Sequence, residues 1–267
     1  MPPKSNSAPP TPKASAGELR YHGIFDEHAH AMKLQFRCPP ELTDILPRPY
    51  AAKRGLPEWL KRMGATAPSA DVSGEIRTVK QCPPFVDAMG FGFIMPLVTD
   101  IRVDHGEFTW DWQLGPSSVG GYTRSPLSFH LGEQLAGAPI AEPGNAAIKF
   151  TNYWTIETPP GFALLVTHPF NREDLPFRTL TGLVDTDRYT HGCIQFPALW
   201  LDQDFVGVLE RGMPIAQCVP VHRDAMSMVF GELEGEAAQA FMRTQERVNA
   251  EPGTYRRHFR VGKPGRE

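Results

Sequence analysis

Glycine and proline limit this chain more than any other feature. There are 24 of one and 27 of the other, so 51 of 267 residues, or about 19% where ~12% is usual. Such dense punctuation leaves little room for long helices and predicts many short strands joined by turns. Hydrophobic residues make up 41% of the chain, enough to bury a sizeable core at this length. The formal charge is −3, from 27 Lys and Arg against 30 Asp and Glu. That balance gives no general attraction to nucleic acid or to an anionic membrane surface. No run approaches the ~18 apolar residues of a membrane span. A cytoplasmic setting is expected, because the N-terminal MPPKSNSAPPTPKASAGE lacks an apolar signal core and the four cysteines (Cys38, Cys82, Cys193, Cys218) form no CxxC pair.

Four regions follow from the composition. Residues 1–17, rich in Pro, Ser, Ala and Lys, read as a disordered tail. Residues 18–147 read as an N-terminal strand-and-loop elaboration. It holds a short helix after Pro57 and a β-hairpin bending at Val103–Glu107, with Phe108, Trp110, Trp112 and Leu114 alternating beyond the bend. The Gly- and Pro-rich stretch 115–147 reads as a long irregular connection. Residues 148–222 read as the β core, with strands expected at 148–156, 161–167, 179–184, 192–196, 205–209 and 215–220. Residues 223–267 read as a C-terminal helix, marked by Leu233, Ala237, Phe241 and Val248, followed by a basic tail.

Two motifs inside 148–222 carry a resemblance. Gly182-Leu183-Val184-Asp185-Thr186-Asp187 is similar to the GVIDxDY strand end of the trimeric dUTPase and dCTP deaminase superfamily. Gly212-Met213-Pro214-Ile215-Ala216-Gln217 is similar to that superfamily's GxRIAQ turn and strand, and it stands 27 residues after Asp185. The resemblance implies a mostly-β, β-clip barrel or sandwich and a homotrimer. The family's phosphate-binding RSG turn and glycine-rich lid have no counterpart here, so dUTP hydrolysis is not carried over. Across much of 47–260 the chain also resembles a set of uncharacterised bacterial and phage-borne proteins of similar length. Lys80–Phe85, Asn152–Trp154 and His168–Arg172 carry that likeness with the two motifs above.

Three kinds of function remain open. In the first, Asp185, Asp187 and Tyr189 alternate along an extended run and meet Asn171 and Arg172 from the preceding loop. Asp185 would act as base and Arg172 would stabilise negative charge, while Asn171, Asp187, Tyr189 and Gln217 contact the ligand. The partner would be an anionic small molecule, nucleotide-derived compounds among them, bound or hydrolysed at the barrel rim. Arg172 pairing structurally with Asp185 or Asp187 is the competing account. In the second, His168, Asp185 and His191 hold a divalent metal, in the pattern of non-haem iron enzymes, for oxidative modification of a small molecule or peptide. His28 and His30 form a weaker HxH pair. In the third, the protein is a phage-associated structural or interaction module without catalysis. The basic, aromatic run Tyr255–Arg260 is the one stretch with a nucleic-acid-binding texture, although solvated surface is its commoner meaning.

Overall fold

A computed structural model describes residues 32–261 apart from 113, 116, 121–122, 141–145 and 225–226. The chain divides into two compact units, 1–32 and 33–267. Nearly all of the first unit, with the tail at 1–17 and the His28–His30 pair, lies outside the described residues.

The second unit is mostly β, and every strand pairing in it is antiparallel. A five-stranded sheet runs β13 (Gly182–Val184), β11 (Phe162–Thr167), β16 (Pro214–His222), β5 (Phe93–Pro96) and β2 (Tyr50–Ala51). A four-stranded sheet runs β12 (Phe177–Thr179), β14 (Phe196–Trp200), β9 (Ala147–Phe150) and β8 (Leu127–Phe129). A three-stranded sheet runs β15 (Val206–Leu209), β6 (Ile101–Asp104) and β7 (Glu107–Thr109). Two ribbons complete the set, β1 (Gln35–Arg37) with β10 (Thr155–Glu157) and β3 (Thr66–Ser69) with β4 (Gly74–Arg77). Helices α1 (Glu58–Arg62), α2 (Pro83–Met89) and α3 (Gly235–Ala250) are short or peripheral. No helix among the described residues is long and apolar enough to cross a membrane.

β16 is the spine. Ile215 to Val219 are all buried, as expected of a strand with neighbours on both edges. Pro220 falls opposite Leu164 of β11, past the point where β5 stops pairing at Cys218, so no ladder bond to β5 is lost. Trp200, Phe150, Phe177 and Phe196 are the largest fully buried side chains. Phe150 meets Phe177 edge-on at 4.8 Å, and Phe108 meets Trp200 at 4.9 Å. One cluster therefore joins side chains from both sides of residue 147, from Leu42 to Cys218.

The hairpin expected at Val103–Glu107 is present. His105 (φ 48°) and Gly106 (φ 83°) make its two-residue turn, with positive φ at both central positions as a right-twisted hairpin prefers. Its second strand stops at Thr109, so Trp110 and Trp112 pack on the core from beyond it. Three other strands differ from expectation. The run 148–156 breaks at the buried Asn152, whose side chain donates to Trp154 O and accepts from Trp154 N–H, replacing ladder bonds. The run 179–184 divides between two sheets as β12 and β13. The strand expected at 192–196 begins only at Phe196.

Gly92 tests this packing. At φ 71° a Cβ would stand 2.1 Å from Cys218 O on β16, whereas Gly106 at φ 83° has nothing within 4 Å. Gly106→Ala should cost only the positive-φ strain, about 1–2 kcal/mol. Gly92→Ala adds a backbone collision, so it should lower the urea midpoint further than Gly106→Ala does.

Candidate functional site

Of the residues expected at the acidic site, Asp185 and Asp187 lie together, joined by Arg223, which the sequence did not single out. Arg223, just beyond β16, donates from Nη1 to Asp185 Oδ1 at 2.8 Å and to Asp187 Oδ1 at 2.7 Å, and from Nη2 to Asp187 Oδ2. Gly161 N–H adds a bond to Asp187 Oδ2 at 3.0 Å, while Arg223 N–H bonds Gly161 O at 2.9 Å. The side chain of Asp187 is 6% exposed and that of Asp185 is 57% exposed. Between them Thr186 points inward and shares a hydrogen bond with Thr158 at 2.8 Å. The Arg223 hydrogen bond, more than the opposing desolvation, holds the Asp187 carboxyl below its usual range.

Arg172 does not join this cluster. Its Nε and Nη2 bond both oxygens of Asp174, at 2.8 and 2.9 Å, in a bidentate pair two residues apart. Burial pushes the Asp174 carboxyl up, and Arg172 more than offsets that, so the net direction is down. Asn171 sits at φ 57°, a left-handed turn position that Asn tolerates. The backbone also turns at Asp185, whose carbonyl accepts from Arg188 N–H at 3.0 Å and Tyr189 N–H at 2.8 Å. That turn ends the expected alternation. Tyr189 instead leans over Gly192, where a Cβ would fall 2.1 Å from its Cζ.

His168 and Gln217 are likewise committed elsewhere. His168 Nε2 donates to Arg172 O at 3.0 Å, and Nδ1 accepts from Thr179 N–H at 3.2 Å. Both ring nitrogens are used, and burial pushes the imidazole toward its neutral form. Gln217 is 1% exposed. It accepts from Phe170 N–H at 2.9 Å and donates to Ala88 O at 3.0 Å and Phe91 O at 2.6 Å, so it braces the fold. His191 lines a separate cleft. No three His, Cys, Asp or Glu side chains among the described residues are arranged to hold a metal ion, so the set His168, Asp185 and His191 is not assembled.

Three clefts differ in chemistry. The first, about 360 Å³, brings His191 together with Arg37, Cys38, Tyr153 and Cys193. Arg37 is ion-paired with Glu157, and burial together with Cys38 pushes the Cys193 thiol up. A protonated thiol is a poor nucleophile. The second, about 690 Å³, is lined by Glu173, Asp174, Asp202 and Asp204, and its sign repels anions.

The third, about 440 Å³, is lined by Arg77, Gln81, Tyr255, Arg256 and Arg257 around Gly253. Arg77 ends β4, Gln81 lies just before α2 and Pro83 opens it, Val248 comes from α3, and the other walls from the turn that follows α3. That turn is anchored from two sides. Arg260 grips Asp87 of α2 with Nε at 2.7 Å and a second bond from Nη2. The buried Thr254 hydroxyl donates to Glu251 O at 2.7 Å. Gly253, at φ 86°, leaves the space a side chain would fill. A Cβ there would lie 3.3 Å from Arg77 Nη1 and 3.9 Å from Arg257 Nη1. Arg257 is partly matched by Glu251 at 3.1 Å, whereas Arg77 has no ion pair among the described residues.

Arg223 and Arg77 are the two residues that sequence reasoning passed over. Arg223 stands one place beyond β16, and Gly161, which bonds it, one place before β11, so register alone would bring it to the end of β13. No protein-family model and no curated protein matches the chain.

The Arg223 clamp has a definite pH signature. Because the folded Asp187 carboxyl is depressed below its ordinary 3.8, the stabilisation is present above that value and is lost as pH falls through the lower folded value. Urea unfolding of wild type and Asp187→Asn should therefore differ by a constant amount above ~pH 5, and the gap should close as the solution is acidified. A gap that stays constant from about pH 7 to pH 3 would contradict the assignment.

Proposed function

We propose that the protein binds an anionic small molecule, and that the Arg77–Arg257 cleft receives it. The observation that carries this reading is the convergence of two guanidinium groups over Gly253, of which Arg77 has no acidic partner among the described residues. Glu251 pairs with Arg257 alone, so the two like charges are only half matched, and a bound phosphate or carboxylate relieves the remainder with bidentate hydrogen bonds. The volume falls within the ~300–1,000 Å³ usual for small-ligand sites. Tyr255 offers a flat apolar face beside the cations, so a phosphorylated ligand with a planar ring, such as a nucleotide, suits the wall chemistry.

The reading is one of binding rather than hydrolysis. None of the side chains lining this cleft is a carboxylate or an imidazole that could activate water. We also keep the dUTPase-like β-clip as a proposal for 148–222. It is supported by Gly212, at φ 91° just before the long buried β16, in the place the GxRIAQ-like motif gives it.

Thermal-shift titration with inorganic phosphate, AMP and a neutral nucleoside tests the site. Phosphate and AMP should raise Tm and the nucleoside should not, following mass action. Arg77→Ala should abolish the shift, while Arg172→Ala should leave it intact. A shift that survives Arg77→Ala and disappears in Arg172→Ala would return the anion site to the loop at 171–172.

A further inference from the structure

The chain makes a long excursion after Arg223 and returns to the body where Arg260 meets Asp87. The excursion contains the best-formed helix of the molecule, yet no residue of α3 is buried. Met228, Val229 and Phe230, on its approach, are 80%, 93% and 88% exposed. A helix of 16 residues with no buried residue is marginal in water, because most helical stability in proteins comes from a buried apolar face.

α3 carries such a face. Ala237, Phe241, Thr244 and Val248 follow a four-three-four spacing and form one stripe, with Phe241 and Val248 exposed. The Thr244 hydroxyl donates back to Ala240 O at 2.8 Å, so it does not interrupt the stripe with an unmet donor. The helix is also neutral overall, with Glu236 and Glu246 balancing Arg243 and Arg247.

We infer that α3 packs against α3 of a second copy of the chain, antiparallel, about a two-fold axis between residues 241 and 242. The charge pattern selects both partner and direction. Glu236 and Arg247 are equidistant from that axis, about 16 Å apart along the helix and within ~20° of one another on the same flank. They are too far apart to pair within one helix, and neither has an ion-pair partner among the described residues. In an antiparallel pair like flanks meet, so Glu236 of each copy faces Arg247 of the other. The opposite flank offers Ala238, Gln245 and Asn249, so a parallel pair would leave those charges facing neutral side chains. Phe241 of the two copies then meets at the crossing, and Ala237 and Ala240 allow close approach.

Sedimentation equilibrium of the full chain tests this. Wild type should be a dimer, and Phe241→Asp a monomer whose body unfolds at an unchanged urea midpoint. Glu236→Arg alone and Arg247→Glu alone should each weaken the dimer roughly 10-fold, since each loss occurs twice per two-fold pair. The double exchange Glu236→Arg with Arg247→Glu should restore it. A monomer at the highest soluble concentration overturns the inference. So does a trimer, or a dimer indifferent to these exchanges.

Discussion

A single buried amide holds the central strand to its surroundings. Gln217 lies within β16, where polar groups are costly unless their hydrogen bonds are met. Its oxygen takes Phe170 N–H, and its nitrogen serves Ala88 O and Phe91 O. Three backbone segments are thereby fixed to one strand: the end of α2, the approach to β5 and the loop leading to Arg172. The positions of His168 and Arg172 depend on that loop. The grip of Arg260 on Asp87 depends on α2, and through it so does the wall of the arginine cleft. An apolar residue at 217 would strand Phe170 N–H and Phe91 O and leave Ala88 O only the bond from Phe91 N–H, which is why a polar side chain stands at a core position.

Local order was legible where one residue's neighbours decide its conformation. The bend at Val103–Glu107 and the alternation from Phe108 gave a hairpin whose turn is His105-Gly106, because side-chain period and positive φ are properties of short segments. The break at Asn152 was not legible in the same way. Its amide substitutes for ladder bonds, and only the folded backbone shows which carbonyls it meets. The division of 179–184 between two sheets is likewise decided by partners distant in sequence, Ala198 for Thr179 and Val166 for Gly182. The mostly-β class was readable from glycine and proline density alone.

The candidate site shows the same boundary. Asp185 and Asp187 were correctly seen as a pair near a strand end, since adjacent sequence determines that. Which arginine they meet is a matter of long-range register, and Arg223 and Arg172 are similar in sequence terms. The structure gives Arg223 the acids at 185 and 187 and leaves Arg172 to Asp174, two residues away. Charge matched this completely is structural. The Arg77–Arg257 cleft differs in that its lining holds guanidinium groups and no carboxylate.

Pro220 has a consequence for how the five-stranded sheet meets its surroundings. Cys218 O points toward Gly92 on the β5 side, and residue 220 shares that orientation by the two-residue period. The proline ring therefore sits on the margin that β5 leaves uncovered. An extended peptide seeking to prolong the sheet there finds no hydrogen to bond at residue 220. At that position the longest strand of the described residues offers an incoming strand no N–H.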